Sequence, residues 1–197
     1  MPDPMPEPIV LEIFERCSVL RFDRPAIRNP LSTEVLDRIE RIFENLENGS
    51  SPVIFTGTDG VFASGADLRE IAAVDAVSAK DFARRGQSVM NRIASAGVLT
   101  IAAINGYCFG GALDLALACR KRLASPDALF SHPGTGLGII TGWGGTQRLP
   151  RLIGEGRALE MFFTAGRFSA AEALRFGLVD EVAEDALARA IEIANRV

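Results

Sequence analysis

The stretch from Ile101 to Asp114, Ile-Ala-Ala-Ile-Asn-Gly-Tyr-Cys-Phe-Gly-Gly-Ala-Leu-Asp, constrains the chain more than any other. An apolar run leads into Asn105-Gly106, a pair that marks a turn, and then into Gly110-Gly111, which open a helical pattern. The first N–H groups of a helix have no partner inside it. With no side chain in front of them they can bind a negatively charged oxygen. Asp114 follows three residues after Gly111, so one helical turn brings its carboxylate to the same face. A donor for an oxyanion beside a carboxylate able to move a proton is the minimum set for chemistry next to a carbonyl.

The rest of the chain alternates strand and helix. Ile9–Phe14 and Cys17–Phe22 read as a hairpin across Glu15-Arg16, and residues 1–8 as an extended, poorly ordered tail. After a loop with Pro25 and Pro30, Ser32 or Thr33 caps a helix with the apolar face Val35, Ile39, Ile42, Phe43 and Leu46, ending near Gly49. Pro52–Thr56 is a short buried strand, followed by a glycine-rich loop and a helix from Ser78, where Asp81 completes a variant capping box. Val98–Ile104 is a strand, the glycine pair opens a helix to Cys119, and Arg122–Phe130 is a strand broken at Pro126-Asp127. A long loop occupies Ser131–Gly145. Helices follow over Gly145–Ile153 and Glu155–Thr164, a short one is capped by Ser169, Leu178–Val182 is a last strand, and a final helix starts near Glu184. The pattern predicts an α/β protein with buried strands and, over residues 9–197, a single domain.

Composition excludes several classes. Apolar residues make up 48% and charged residues 23%, values of a globular chain, and the net charge of −4 leaves no basic face for nucleic acid. The one basic cluster, Arg120-Lys121-Arg122, fits a cationic cap on a helix C-terminus. Cys17, Cys108 and Cys119, with His132 the single histidine, match no metal or redox spacing, so no metal is expected. The acidic, proline-rich start lacks the features of a signal peptide and no apolar run reaches spanning length, which sets the cytoplasm, away from membranes, as the expectation. The glycine-rich loops do not bind nucleotides by their sequence. Gly60 and Gly65 have P-loop spacing, but Ala66-Asp67 stands where Lys and Ser or Thr are required, and the run Gly134, Gly136, Gly138 lacks the third glycine of a dinucleotide fingerprint.

Four blocks together carry a resemblance: Arg24-Pro25 with Arg28-Asn29-Pro-Leu-Ser32, Phe62-Ala-Ser-Gly-Ala-Asp-Leu68, Asn105-Gly-Tyr-Cys-Phe-Gly-Gly111, and Gly142-Trp-Gly-Gly-Thr-Gln-Arg-Leu149. In this order and at about these separations they resemble the crotonase (enoyl-CoA hydratase/isomerase) superfamily, from about Ile9 to the last residue. The resemblance implies a crotonase-like spiral of repeated β-β-α units, assembled as a homotrimer or hexamer. It also implies an acyl thioester of coenzyme A, or of an acyl carrier, as substrate, with coenzyme A part of that substrate and no separate cofactor. By motif match the thioester oxygen would sit between the backbone N–H groups of Ala66 and Gly111. Gly65, Asp67, Leu68, Gly110, Gly134 and Trp143 would line the binding site, and Arg24 and Arg28 could meet the phosphates of coenzyme A. Compared with such proteins the C-terminal helical region is shortened, which would leave a more open pocket.

The acid–base positions depart from the resemblance. Hydratases of the superfamily commonly use two glutamates. Asp114 matches the first, one methylene shorter, and Gly134 matches the second and has no side chain. Hydration by two cooperating carboxylates therefore has no second partner here. Asp114 fits either an acid–base role or an N-terminal cap, and the helix start would lower its pKa. His132, two residues from the vacant position, could titrate near neutral pH and supply the missing acid, or be a satisfied loop residue. Trp143 fits packing or stacking on a ligand, and Cys108 has no basic neighbour in sequence to make it a nucleophile. The implied activity is an enoyl-CoA hydratase/isomerase-type reaction through a thioester enolate, with isomerisation favoured over hydration. Decarboxylation of a malonyl-type thioester and a non-catalytic acyl-thioester binding subunit are the alternatives.

Overall fold

Continuous apolar runs become strands buried on both faces, and these strands organise the molecule. The computed structural model describes residues 7–46 and 51–197. β1 (Ile9–Ile13) and β2 (Ser18–Phe22) form the expected antiparallel hairpin, Leu11 opposite Leu20. β3 (Pro30–Leu31), α1 (Thr33–Leu46), β4 (Val53–Thr56), β5 (Val61–Ala63), β6 (Gly65–Ala66), α2 (Leu68–Ala72) and α3 (Ala79–Ser95) follow. Next come β7 (Thr100–Ile104), β8 (Tyr107–Phe109), α4 (Gly111–Ala118), β9 (Lys121–Ala124) and β10 (Leu129–Ser131). α5 (Gly145–Ile153), α6 (Glu155–Thr164), β11 (Phe168–Ser169), α7 (Ala170–Phe176), β12 (Glu181–Val182) and α8 (Ala186–Ala194) complete the described chain.

One sheet has the order β1-β2-β4-β7-β9-β12, a second β11-β10-β8-β5, and β3 pairs with β6. From β2 to β12 every pairing in the first sheet is parallel, as is β5-β8-β10 in the second. The pairs β4–β5, β7–β8 and β9–β10 each place their first strand in the large sheet and their second in the small one. A helix then returns the chain. This is the expected spiral of β-β-α units. Alternate residues of the large sheet face opposite ways. Phe22, Phe55, Ala102 and Ile104 join the main core, whereas Val19, Ile54, Ile101, Ala103 and Leu123 are covered by Ala186, Ala190 and Ala194 of α8.

Several local expectations are corrected. β5, β6 and β8 lie in segments read as loop or turn, because two or three residues are too few for a periodic signal. The broken strand at Pro126-Asp127 is two strands in different sheets, β9 and β10. α3 does start after Ser78, but its capping box with Asp81 does not form. The Ser78 hydroxyl donates instead to Asp75 Oδ1 at 2.6 Å. Ser169 does cap α7, in a full box with Glu172. Arg122 Nη1 donates to the Cys119 carbonyl at 2.8 Å, closing the end of α4 as the basic cluster suggested, and its guanidinium also pairs with Asp180. The expected tail falls mostly on residues 1–6, and the expected helix end on residues 47–50, outside the described residues. Within it Pro8 is tied down, its carbonyl accepting the Asp23 N–H at 3.3 Å. Among the described residues no helix is long and apolar enough to cross a membrane, and no cluster of His, Cys, Asp and Glu could hold a metal ion.

Candidate active site

Two sharp turns of the backbone meet at the ends of the spiral strands. Gly110 caps α4 with a φ of +53° and Gly65 has a φ of +100°, both in the region that favours glycine. A Cβ on Gly65 would lie 2.6 Å from the Phe109 carbonyl oxygen and 3.0 Å from the Gly111 nitrogen. A Cβ on Gly111 would lie 3.2 Å from the Ala66 nitrogen. The Gly65–Ala66 and Gly110–Gly111 backbones therefore lie against each other with no room for side chains between them. Asn29 holds this arrangement from below. It is buried, its amide nitrogen donates to the Val61 carbonyl at 2.9 Å, and its Oδ1 accepts the Arg24 N–H at 2.6 Å. The Arg28 carbonyl accepts the Ser64 N–H, and β3 pairs with β6, so the strand carrying Ala66 is pinned along its length.

In front of these turns lies a cavity of ≈ 300 Å³. Ala66, Gly110 and Gly111 form one side. Leu68, Ile71, Phe82, Leu137, Ile140 and Trp143 supply most of the apolar remainder. Its polar side chains are Ser64, His132 and Thr141, and among the described residues no Asp, Glu, Lys or Arg borders it. Trp143 is 3% exposed, its indole packed where a Cβ on Gly86 or Gly111 would stand. It is thus both core and cavity wall.

Behind the cavity wall sits Asp114, fully buried on α4 and not itself bordering the cavity. Its Oδ2 accepts a hydrogen bond from the Thr141 hydroxyl, and His132 Nε2 lies 3.6 Å from its Oδ1. That is beyond hydrogen-bond reach, and both ring nitrogens of His132 are hidden from solvent without a partner. Gly145 makes the cluster possible, since a Cβ there would come within 2.1 Å of Asp114 Oδ1 and 2.9 Å of Thr141 Cγ2. Two expectations about charge are reversed. Burial raises the Asp114 pKa from 3.8 to about 7, outweighing the Thr141 hydroxyl, the nearby N–H groups of Trp143 and Gly145, and the Arg148 charge. The helix start does not win, because the carboxyl has no water to support its charge. Burial likewise lowers His132 from 6.5 to about 4, so it does not titrate near neutral pH. Between these values the pair holds its one proton on the carboxyl. Burial also keeps the Cys108 thiol protonated.

This framework has known relatives. The sequence profile described as enoyl-CoA hydratase/isomerase matches residues 12–197. The chain belongs to the enoyl-CoA hydratase/isomerase family. A short-chain-enoyl-CoA hydratase of Clostridium acetobutylicum is 38% identical over 194 residues, spanning 96% of this chain and 74% of that protein. A crotonyl-CoA hydratase of Syntrophomonas wolfei is 38% identical over 196 residues, spanning 97% of this chain and 75% of its own length. The solved structure of an enoyl-CoA hydratase from Bacillus anthracis aligns with a TM-score of 0.90 at 35% identity, over 96% of this chain and 76% of that one. The crotonase fold of the superfamily is the fold found here.

Set in this family fold, the motif residues divide into two groups. Gly65, Ala66, Leu68, Gly110, Gly111, His132, Gly134 and Trp143 all border the cavity. Asp67, Arg24 and Arg28 do not. Asp67 caps α2, accepting the Arg69 N–H at 2.8 Å and pairing with its guanidinium at 2.7 Å. Arg24 pairs with Glu34 at 3.0 Å, and Arg28 is exposed in a left-handed turn. The Arg24–Ser32 block therefore marks the Asn29 anchor rather than cavity-lining residues. Gly134 is fixed by its loop. Its carbonyl accepts the Ile139 N–H at 3.0 Å, and a Cβ would lie 2.8 Å from the Ile139 carbonyl oxygen. The absence of a side chain at 134 is matched by the packing of this loop. Sequence reasoning missed Asn29, Thr141 and Gly145. Thr141 had no motif to mark it, whereas Gly145 stood inside a quoted block whose reason was not visible.

Proposed function

We propose that this enzyme acts on acyl-CoA thioesters by proton transfer next to the thioester carbonyl, isomerising or exchanging rather than hydrating. The observation that carries the reading is the close approach of the Ala66 and Gly111 backbones at the cavity, with one buried carboxyl three residues on in the helix that Gly111 opens and no side chain at Gly134. Removing a proton beside the thioester pushes charge onto its oxygen, and the N–H groups of Ala66 and Gly111 are the donors that would hold it. Such a donor is worth about 10²–10³ in rate. The Asp114 cluster moves the proton. A carboxyl with a pKa of about 7 can both give and take a proton near neutrality. Adding water needs a second positioned acid or base, and the Ile139 carbonyl occupies the space a side chain at 134 would need. The hydratase names of the relatives support the substrate class, and the cavity chemistry supports the narrower reaction.

The apolar cavity with no bordering charge favours one second reading, decarboxylation of a malonyl-type thioester, because a desolvated carboxylate is lost more easily. Incubation with crotonyl-CoA and with but-3-enoyl-CoA in deuterated water, followed by NMR and mass spectrometry, separates these readings. Double-bond migration or deuterium incorporation without hydration is the expected result. Rapid hydration of crotonyl-CoA would overturn the narrower reaction. No change in either, with carbon dioxide released from malonyl-CoA, would favour decarboxylation.

A further inference from the structure

Asp114 is sealed from the cavity in which it is expected to act. Some group must connect the two, and the choice lies between the polar side chains touching both. His132 borders the cavity, but its ring nitrogens are hidden from solvent and Nε2 stands 3.6 Å from the carboxyl. Thr141 borders the cavity and its hydroxyl is hydrogen-bonded to Asp114 Oδ2. It is half-buried, and its methyl group, packed toward Gly145, fixes which way the hydroxyl points.

We propose that Thr141 is a catalytic hydroxyl of this site, passing the substrate proton between the cavity and the Asp114 carboxylate. The assignment rests on the acyl-thioester reading above. The C–H bond beside the thioester breaks, and its electron pair forms the enolate with the negative charge on the thioester oxygen. The proton goes to Thr141 Oγ1 while the hydroxyl's own proton goes to Asp114 Oδ2. Both transfers occur together, because a free threonine alkoxide is far too basic to persist near neutral pH. The ionised carboxylate ends as the neutral acid and the neutral thioester as the enolate, so charge balances. The same path in reverse returns a proton to either end of the enolate system. Asp114 thus acts through Thr141.

The groups facing Asp114 are His132 from the loop before Pro133, Arg148 from α5 and Cys108 from β8. Burial keeps His132 and Cys108 neutral around pH 7, and Arg148 is always charged, so the titration near neutrality belongs to the carboxyl.

The test compares wild type with Thr141→Val, which keeps the shape and loses the hydroxyl, and with Thr141→Ser, which keeps the hydroxyl. Isomerisation of but-3-enoyl-CoA and deuterium exchange are read together with a proton inventory in mixed light and heavy water. The relay requires that Thr141→Val lose about 10²-fold or more in kcat with KM within about threefold, and that Thr141→Ser stay within about tenfold of wild type. It also requires an inventory of the C–H-breaking step that slopes with deuterium content in wild type and in Thr141→Ser, since the solvent-exchanging hydroxyl proton moves together with the non-exchanging substrate proton. A merely structural threonine, with the carboxylate taking the C–H proton directly, would leave no exchangeable proton in flight and a flat inventory, and that result overturns the relay even if Thr141→Val proves unstable. Thr141→Val turning over within threefold of wild type, as about 10²-fold is required, overturns it as well. Wild type that neither binds nor turns over any of these thioesters removes the substrate reading and the relay together. That outcome is separated from failure of the relay alone by calorimetry on wild type.

Discussion

The two sides of the cavity are built on opposite principles. On one, the backbones of Gly65–Ala66 and Gly110–Gly111 are pressed together, and a backbone carries no charge and does not titrate. On the other, Thr141 and His132, from the segment between β10 and α5, back onto the buried Asp114 of α4, and burial sets the protonation of the carboxyl and the imidazole. The first side has geometry without pH dependence. The second has the pH dependence, and its geometry relies on Gly145 leaving space. Catalysis at a thioester needs both, but a change on each side should fail differently.

The largest effect is expected from the titrating side. Asp114→Asn keeps the shape and removes the proton carrier, so kcat for exchange should fall about 10²–10⁴-fold with KM little changed. Wild-type exchange should rise with pH through about 7, as burial releases the base form only there. Mass-spectrometric deuterium uptake across pH 5.5–8.5, a span of about three units around that value, checks both statements. An Asn variant with undiminished exchange would reduce Asp114 to a cap.

Next is the backbone side. Gly111→Ala places a Cβ 2.6 Å from a Trp143 ring carbon and 3.2 Å from the Ala66 nitrogen. The donors should be pushed out of line, costing about 10²–10³ in kcat while leaving the shape of the pH profile unchanged. A shifted profile would mean that the two sides are not independent. Smaller again is Gly134→Glu, which restores the residue type of the vacant acid position. Because a Cβ there meets the Ile139 carbonyl oxygen at 2.8 Å, the loop should give way. A loss of about 1–3 kcal/mol in denaturant unfolding and no gain of crotonyl-CoA hydration are expected. Hydration installed by this one change would show that the loop is more accommodating than its packing indicates.

The contrast also explains what could be read from the sequence. The backbone side was legible, since close approach and left-handed turns demand glycine, and Gly65, Gly110 and Gly111 are visible as letters. The long strands Ile9–Ile13 and Thr100–Ile104 were legible for the same reason, their apolar runs being long enough to count. β5, β6 and β8 were not, because each is defined by its neighbours in the sheet rather than by a local pattern. The side-chain cluster was half legible. Asp114 and His132 were visible as residue types, but their protonation follows from burial that a helix-start argument cannot see. Thr141 reaches Asp114 across 27 positions, and Asn29 reaches Val61 across 32. No local spacing encodes such contacts. Arg24 and Asp67 show what a motif does not reveal, the ion pair with Glu34 and the cap of α2 that these charges make within the fold.

The smallest expected effect is a cancellation, and it tests the electrostatics of the cluster without any substrate. Asp114 has a folded pKa of about 7 against an ordinary 3.8, so its contribution to stability is fully present below about 4 and is lost as pH rises toward 7. His132 is displaced the other way, to about 4 from 6.5, so its contribution is present above 6.5 and is lost as pH falls toward 4. Across the shared window the folded pair carries one proton, on the carboxyl, and the unfolded pair also carries one, on the imidazole. The two slopes oppose each other, and wild-type stability should gain almost no pH dependence from this cluster. Each single variant unmasks the other residue. Asp114→Asn should become more stable with rising pH between 4 and 6.5, and His132→Gln less stable between 4 and 7, each by at most about 1.4 kcal/mol per pH unit. Urea unfolding at three pH values for the three proteins reads the slopes directly. Variants with parallel slopes would mean that the carboxyl and the imidazole do not hold their proton in the arrangement that makes Asp114 a base near neutrality.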